Sequence, residues 1–132
     1  MTANYLAIFA AGVAAFVFGG LWYSLLGKQW SAAHGWAPAE KSTMPIAPMI
    51  ISFVAVLVMA FVLAGVLAHV AKDNITIKAG LITGVICWFG FVLTTLVTNH
   101  AYGKAKPLLT VIDAGHWLGV LMLQGLLLGW LG

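Results

Sequence analysis

NYLAIFAAGVAAFVFGGLWYSLL, residues 4–26, contains no charged side chain. About 20 apolar residues in helical form cross a hydrocarbon core of about 30 Å, so this run is long enough to span a bilayer. A secretory leader is the competing reading. No basic residue stands ahead of the run, however, and it is longer than the apolar core of a leader. We read it as a retained membrane helix. Three more apolar runs of spanning length follow at residues 45–70, 77–102 and 109–131, with Lys78 and Asp113 their only charged side chains. The expected fold is therefore an all-α integral membrane protein. It is a single four-transmembrane-helix antiparallel bundle over residues 1–132, with spans at about 4–26, 45–70, 77–102 and 109–131.

Composition agrees with this. Hydrophobic side chains make up 63% of the chain and charged ones 7%, against about 25% charged in soluble domains. Mean hydropathy is +1.06. With four spans subtracted, only short connections remain, which leaves no room for a separate catalytic domain. The net charge of +3 comes from six lysines against Glu40, Asp73 and Asp113, with no arginine. Those lysines lie in the connections and not on one clustered face, which argues against nucleic-acid binding. Cys87 is the only cysteine, so no intramolecular disulfide can form, and it is expected to pack as a small hydrophobe.

The stretch 27–44 is the one longer connection, expected as an interfacial loop between the first and second spans. Trp30, Trp36, Lys28 and Lys41 lie in it, and a short helix near Pro38 is a candidate within it. Trp prefers the headgroup layer because its ring is apolar and its N–H polar. Trp22, Trp30, Trp36, Lys28 and Lys104 are accordingly expected as interfacial anchors. The connections at Lys72-Asp73-Asn74 and Gly103-Lys104-Ala105-Lys106 are tight, which makes consecutive helices antiparallel neighbours. Pro107 is expected to precede a fourth helix starting near Leu109. Lys28, Lys41, Lys104 and Lys106 share one side against Lys72 and Lys78 on the other. The positive-inside rule then places both termini on the non-cytoplasmic side.

Small residues recur four apart: Ala15 with Gly19, Gly80 with Gly84, Gly115 with Gly119, and Gly125 with Gly129. Such pairs let helices approach closely where no hydrophobic effect drives association. They are expected to pack the bundle, and the sharper alternative makes Gly125 and Gly129 a subunit interface. A homo-oligomer and membrane lipids are the expected partners. The first and third spans also both end in aromatics followed by Gly-Lys, an echo too slight to carry a repeat.

Antiparallel threading collects most polar residues at one membrane face. Asp113 is the most informative, because a carboxylate about one turn inside a span is costly unless paired or facing water. His116, three residues on, projects from the same helix face. His100, Asn99 and Tyr23 reach a similar depth, and Thr98 can add a hydrogen bond. One reading is that Asp113 merely ties helices together. A second is a proton- or ion-linked site for a small polar solute, built from Asp113, His116, His100, Asn99 and Tyr23. A weaker third is a metal held by His100, Asp113 and His116, whose donor types suit zinc. Haem is disfavoured, since His69 lies at the opposite face and His34 in the connection. No cofactor is expected, and no Gly-x-Ser-x-Gly turn supports hydrolysis.

Gly19-Gly20-Leu21-Trp22-Tyr23-Ser24, Gly27-Lys28-Gln29-Trp30, Thr98-Asn99-His100-Ala101-Tyr102 and the run from Lys106 to Gly115 carry a resemblance over nearly the whole chain. In these residues the chain resembles the bacterial membrane family known as domain of unknown function 1761 (DUF1761). The resemblance implies a compact four-span protein of the bacterial cytoplasmic membrane and brings no activity with it. Small multidrug-resistance transporters, which carry a glutamate in their first span, do not fit. Membrane glutathione transferases depend on arginines and do not fit either.

Overall fold

The computed structural model describes residues 4–35 and 46–132. Its elements are α1 (Tyr5–Leu25), α2 (Gly27–His34), α3 (Ile46–Ala71), α4 (Ile77–Cys87), a π-helical segment (Trp88–Leu93), α5 (Thr94–Tyr102) and α6 (Pro107–Leu131). α4, the π-segment and α5 run on as one continuous helix, so four helices are long and apolar enough to cross a membrane.

Each end has a local cause. Asn4 caps α1 by accepting from the Ala7 N–H, and Thr76 caps α4 by accepting from the Ala79 N–H. Pro107 sits in the first turn of α6 and does not merely precede it, because the first turn has no use for its missing N–H. The helix thus begins two residues earlier than the sequence suggests.

α6 is the most buried span and packs on α1 and α4, while α3 packs chiefly on α1. The α4–α6 seam is made by glycines. A Cβ on Gly80 would collide with the Gly125 carbonyl, one on Gly84 with the Leu121 carbonyl, and one on Gly129 with the Thr76 carbonyl. The Gly125–Gly129 pair is therefore used up inside the chain, which overturns its reading as a subunit interface. Gly115 and Gly119 play the same part on α1, against the rings of Trp22 and Phe18.

The long connection also differs from expectation. Its first eight residues form α2, which ends where Gly35 takes φ +77°, the left-handed conformation that glycine adopts without strain. Trp36, Lys41 and the helix expected near Pro38 lie outside the described residues.

The core is mostly small and aliphatic, with Ala7, Ala11, Ala60, Leu63, Leu67, Leu121 and Leu128 in one cluster. Cys87 packs half-buried against it. Gln124 is completely buried on α6 and donates through Nε2 to the Val56 carbonyl of α3 at 2.9 Å.

Candidate functional site

Asp113 lies six residues into α6, about 9 Å along its axis at 1.5 Å per residue. Its Oδ1 accepts the Tyr23 hydroxyl of α1 at 2.6 Å and the Trp30 Nε1–H of α2 at 3.1 Å. Its Oδ2 faces His100 Nε2 of α5 at 3.7 Å, with the two side chains 17% and 19% exposed. His100 Nδ1 is in turn 2.8 Å from Thr110 Oγ1. Beside this cluster the Trp22 Nε1–H donates to the Ile112 carbonyl at 3.1 Å, and the Trp88 Nε1–H to the Ala114 carbonyl at 2.9 Å. Three consecutive residues of α6 therefore receive bonds from elsewhere in the chain.

Tyr23 and Trp30 are seven residues apart, which is close to two helical turns. The backbone break at Leu26, with φ −107° and ψ 13°, does not disturb this, because Trp30 N–H still bonds the Leu26 carbonyl. Both rings emerge on one side and pack edge to face, with centroids 5.3 Å apart. Trp30 is thus more than the interfacial anchor expected from its sequence position. The seven-residue spacing was the signal that could have found it.

His100 reaches the cluster because of the π-segment. Gly84 faces α6, and His100 is sixteen residues further on. In a continuous α-helix, at about 100° per residue, the two would be about 160° apart. A π-turn closes its hydrogen bond one residue later, and this single residue of lag reduces the angle to about 60°. Hydroxyls sustain the irregular backbone: Thr94 donates to the Gly90 carbonyl at 2.9 Å, and Thr95 donates to the Phe91 carbonyl at 2.5 Å. Such back-bonding satisfies carbonyls that a lipid environment cannot.

The remaining candidates fall elsewhere. Asn99 is exposed, and its side chain adds no hydrogen bond to the cluster among the described residues. Thr98 turns back to the Thr94 carbonyl at 2.8 Å. Lys28 and Lys104 are exposed. His116 is 7% exposed and lies in an aromatic nest, its ring centroid 4.9 Å from Tyr23 and 4.6 Å from Trp117. Its Nδ1 has no hydrogen-bond partner among the described residues. The i−4 carbonyl that a helical histidine commonly bonds belongs here to Ile112, and Trp22 already occupies it. His69 shows the ordinary arrangement, with Nδ1 2.8 Å from the Gly65 carbonyl.

His116 and Asp113 both lie against Tyr23. Among the described residues no group of three His, Cys, Asp or Glu side chains, His100, Asp113 and His116 included, is placed to hold a metal ion. Two grooves among the described residues lie away from Asp113. One of about 410 Å³ runs past Asn4, Ile8, Phe61, Gly65 and His69, at the end of the bundle opposite Asp113. The other, about 270 Å³, lies between α3 and the π-segment.

The arrangement around Asp113 is a carboxylate saturated on one oxygen by neutral donors and faced on the other by an imidazole. It holds α1, α2, α5 and α6 at one point. No curated protein and no solved structure matches the chain. The family model described as "Protein of unknown function (DUF1761)" matches residues 6–129, and the chain belongs to that family.

Proposed function

We propose that this chain is a non-catalytic multi-pass protein of the bacterial cytoplasmic membrane in which Asp113 locks an interfacial helix, α2, onto an antiparallel four-helix bundle. The observation that carries this reading is the double bond to Asp113 Oδ1, from Tyr23 on α1 and Trp30 on α2. A carboxylate inside a span needs partners to offset its desolvation, and here those partners come from two separate elements. α2 then presents a fixed surface at the headgroup layer, with Lys28 and Gln29 exposed, to lipids or to another subunit. In this arrangement both termini lie on the non-cytoplasmic side. A homo-oligomer would be built on outer faces of the helices, since the glycine seam is filled from within the chain.

One observation favours a second reading, proton- or ion-linked handling of a small solute. Asp113 Oδ2 and His100 Nε2 stand 3.7 Å apart, just beyond a hydrogen bond, and both side chains retain some exposure.

Replacing Asp113 separates the readings. A lock predicts that Asp113→Ala, which strands the Tyr23 and Trp30 donors, lowers thermal stability and frees α2. Asp113→Asn, which retains an acceptor, should lower it less. Normal stability of Asp113→Asn with loss of proton-coupled flux in proteoliposomes would instead establish the second reading.

A further inference from the structure

We infer that the third span is a two-state element, in which the residue stored in the π-segment can pass into the turn after α5 and so exchange His100 for Asn99 at Asp113. The exchange concerns Asp113 Oδ2 and leaves the α2 lock alone, since Tyr23 and Trp30 both bond Oδ1. Helical phase names the residue that is exchanged. With the π-turn in place, His100 lies about 60° from Gly84 around the helix axis. If Trp88–Leu93 closed as ordinary α-helix, Asn99, fifteen residues beyond Gly84, would come to the same angle of about 60°. All of α5 would advance by one position, and His100 would move to the place that exposed Ala101 now holds.

Each part of the exchange has a local cause. Asp113 Oδ2 stands 3.7 Å from His100 Nε2, too far for a hydrogen bond, whereas the amide of Asn99 is a donor suited to a carboxylate. Asn99 now lies exposed on the third span, where an amide is costly. The turn that would receive the extra residue holds Lys104 at φ +54°, a left-handed conformation uncommon for lysine, which a longer turn can release. At the other end, a π-turn leaves one carbonyl without its amide partner, and the hydroxyls of Thr94 and Thr95 compensate on Gly90 and Phe91. No residue of the π-segment or of α5 is buried, so rotation swaps partly exposed side chains for one another and leaves the core in place. The two forms differ in what faces Asp113 Oδ2: a titratable imidazole in one, a neutral amide in the other.

Thiol cross-linking in proteoliposomes tests the exchange, on full chains carrying Cys87→Ala and one cysteine pair. With the span otherwise unchanged, His100→Cys with Thr110→Cys should link fast. Asn99→Cys with Thr110→Cys should link about tenfold to a hundredfold more slowly, as a state populated at about 1–10% requires. Deleting Gly90 removes the residue that is passed along, so the first pair should link as before and the second not at all. Thr94→Val with Thr95→Val removes the hydroxyls that compensate the π-turn. The Asn99 pair should then link several-fold faster and the His100 pair more slowly, and this variant carries the test if the deletion disturbs folding. An Asn99 pair that links no faster with Gly90 present than with it deleted overturns the two-state reading. An equal response of both pairs to the valines, or none, overturns it as well, because a loosened helix would affect both alike and a change of register cannot.

Discussion

The Tyr23 hydroxyl donates to Asp113 Oδ1 at 2.6 Å across 90 residues of sequence, and so joins the end of the first span to the beginning of the last. A hydrogen bond to a charged acceptor contributes about 1.5–3 kcal/mol when lost with its partner left in place. Tyr23→Phe keeps the ring against His116 and removes only the hydroxyl. It is expected to cost about 2 kcal/mol, read as a lowered midpoint in detergent thermal unfolding. An unchanged midpoint would show that Asp113 is adequately held without it.

Trp30 holds α2 by the same carboxylate oxygen. Trp30→Phe preserves most of the apolar area and deletes the Nε1–H. Local release of α2 is expected, with little effect on the four long helices. Amide exchange should rise across Gly27–His34 while the helix content from circular dichroism stays constant. Equal protection in the two proteins would refute the lock.

Gly80 and Gly90 are on the same continuous helix and should respond oppositely to alanine. A methyl at Gly80 meets the backbone of Gly125, whereas the space around Gly90 is open. Overpacking costs about 1–3 kcal/mol, so Gly80→Ala should unfold at clearly lower temperature. Gly90→Ala should match the parent or exceed it slightly. A differential scanning measurement on both variants decides the point.

Gln124 is buried with Nε2 bonded and Oε1 without a partner among the described residues. Gln124→Leu has nearly the same volume and removes the orphaned acceptor, and intramembrane hydrogen bonds average only about 0.6 kcal/mol. Stability is expected to be unchanged or raised. Gln124→Ala leaves a cavity and should cost about 2–4 kcal/mol. If the leucine variant were as damaged as the alanine one, the amide would have a role that its packing does not express.

Deleting Gly90 tests the π-segment. Removal of one residue converts the π-turn to an α-turn while keeping the angular phase of Thr94–Tyr102. His100 should therefore still face Thr110. In a Cys87→Ala background, a His100→Cys and Thr110→Cys pair should cross-link with or without Gly90. Inserting an alanine there instead, which adds about 100° of rotation, should abolish the cross-link.

Much of this was legible in the residues. Apolar runs of more than 20 side chains have one solution in lipid, because a backbone without water must satisfy its own hydrogen bonds, and a helix does so within the segment. The four long helices, the cost of burying Asp113 and the use of small residues as packing faces therefore follow from composition and spacing alone. Tyr23 was one of several residues placed at the depth of Asp113, beside His116, His100 and Asn99, with nothing in the sequence to choose among them. The partner of each glycine pair did not follow, because a small-residue stripe fits any close neighbour equally well, and only the threading assigned Gly125 and Gly129 to Gly80 and Thr76.

Helical phase was the other undecided quantity. It accumulates error along the chain, and a single residue taken up in Trp88–Leu93 turns everything beyond it by about 100°. That rotation brought His100 to Asp113 and left Asn99 outside. It could not be read locally, because a π-turn has no composition of its own. The sequence by itself determined what must be buried and how many helices bury it. Which polar atoms meet, Trp30 and His100 on Asp113 but not His116, was decided only by the tertiary structure, since side-chain contact depends on rotation about each axis and apolar runs constrain that rotation weakly.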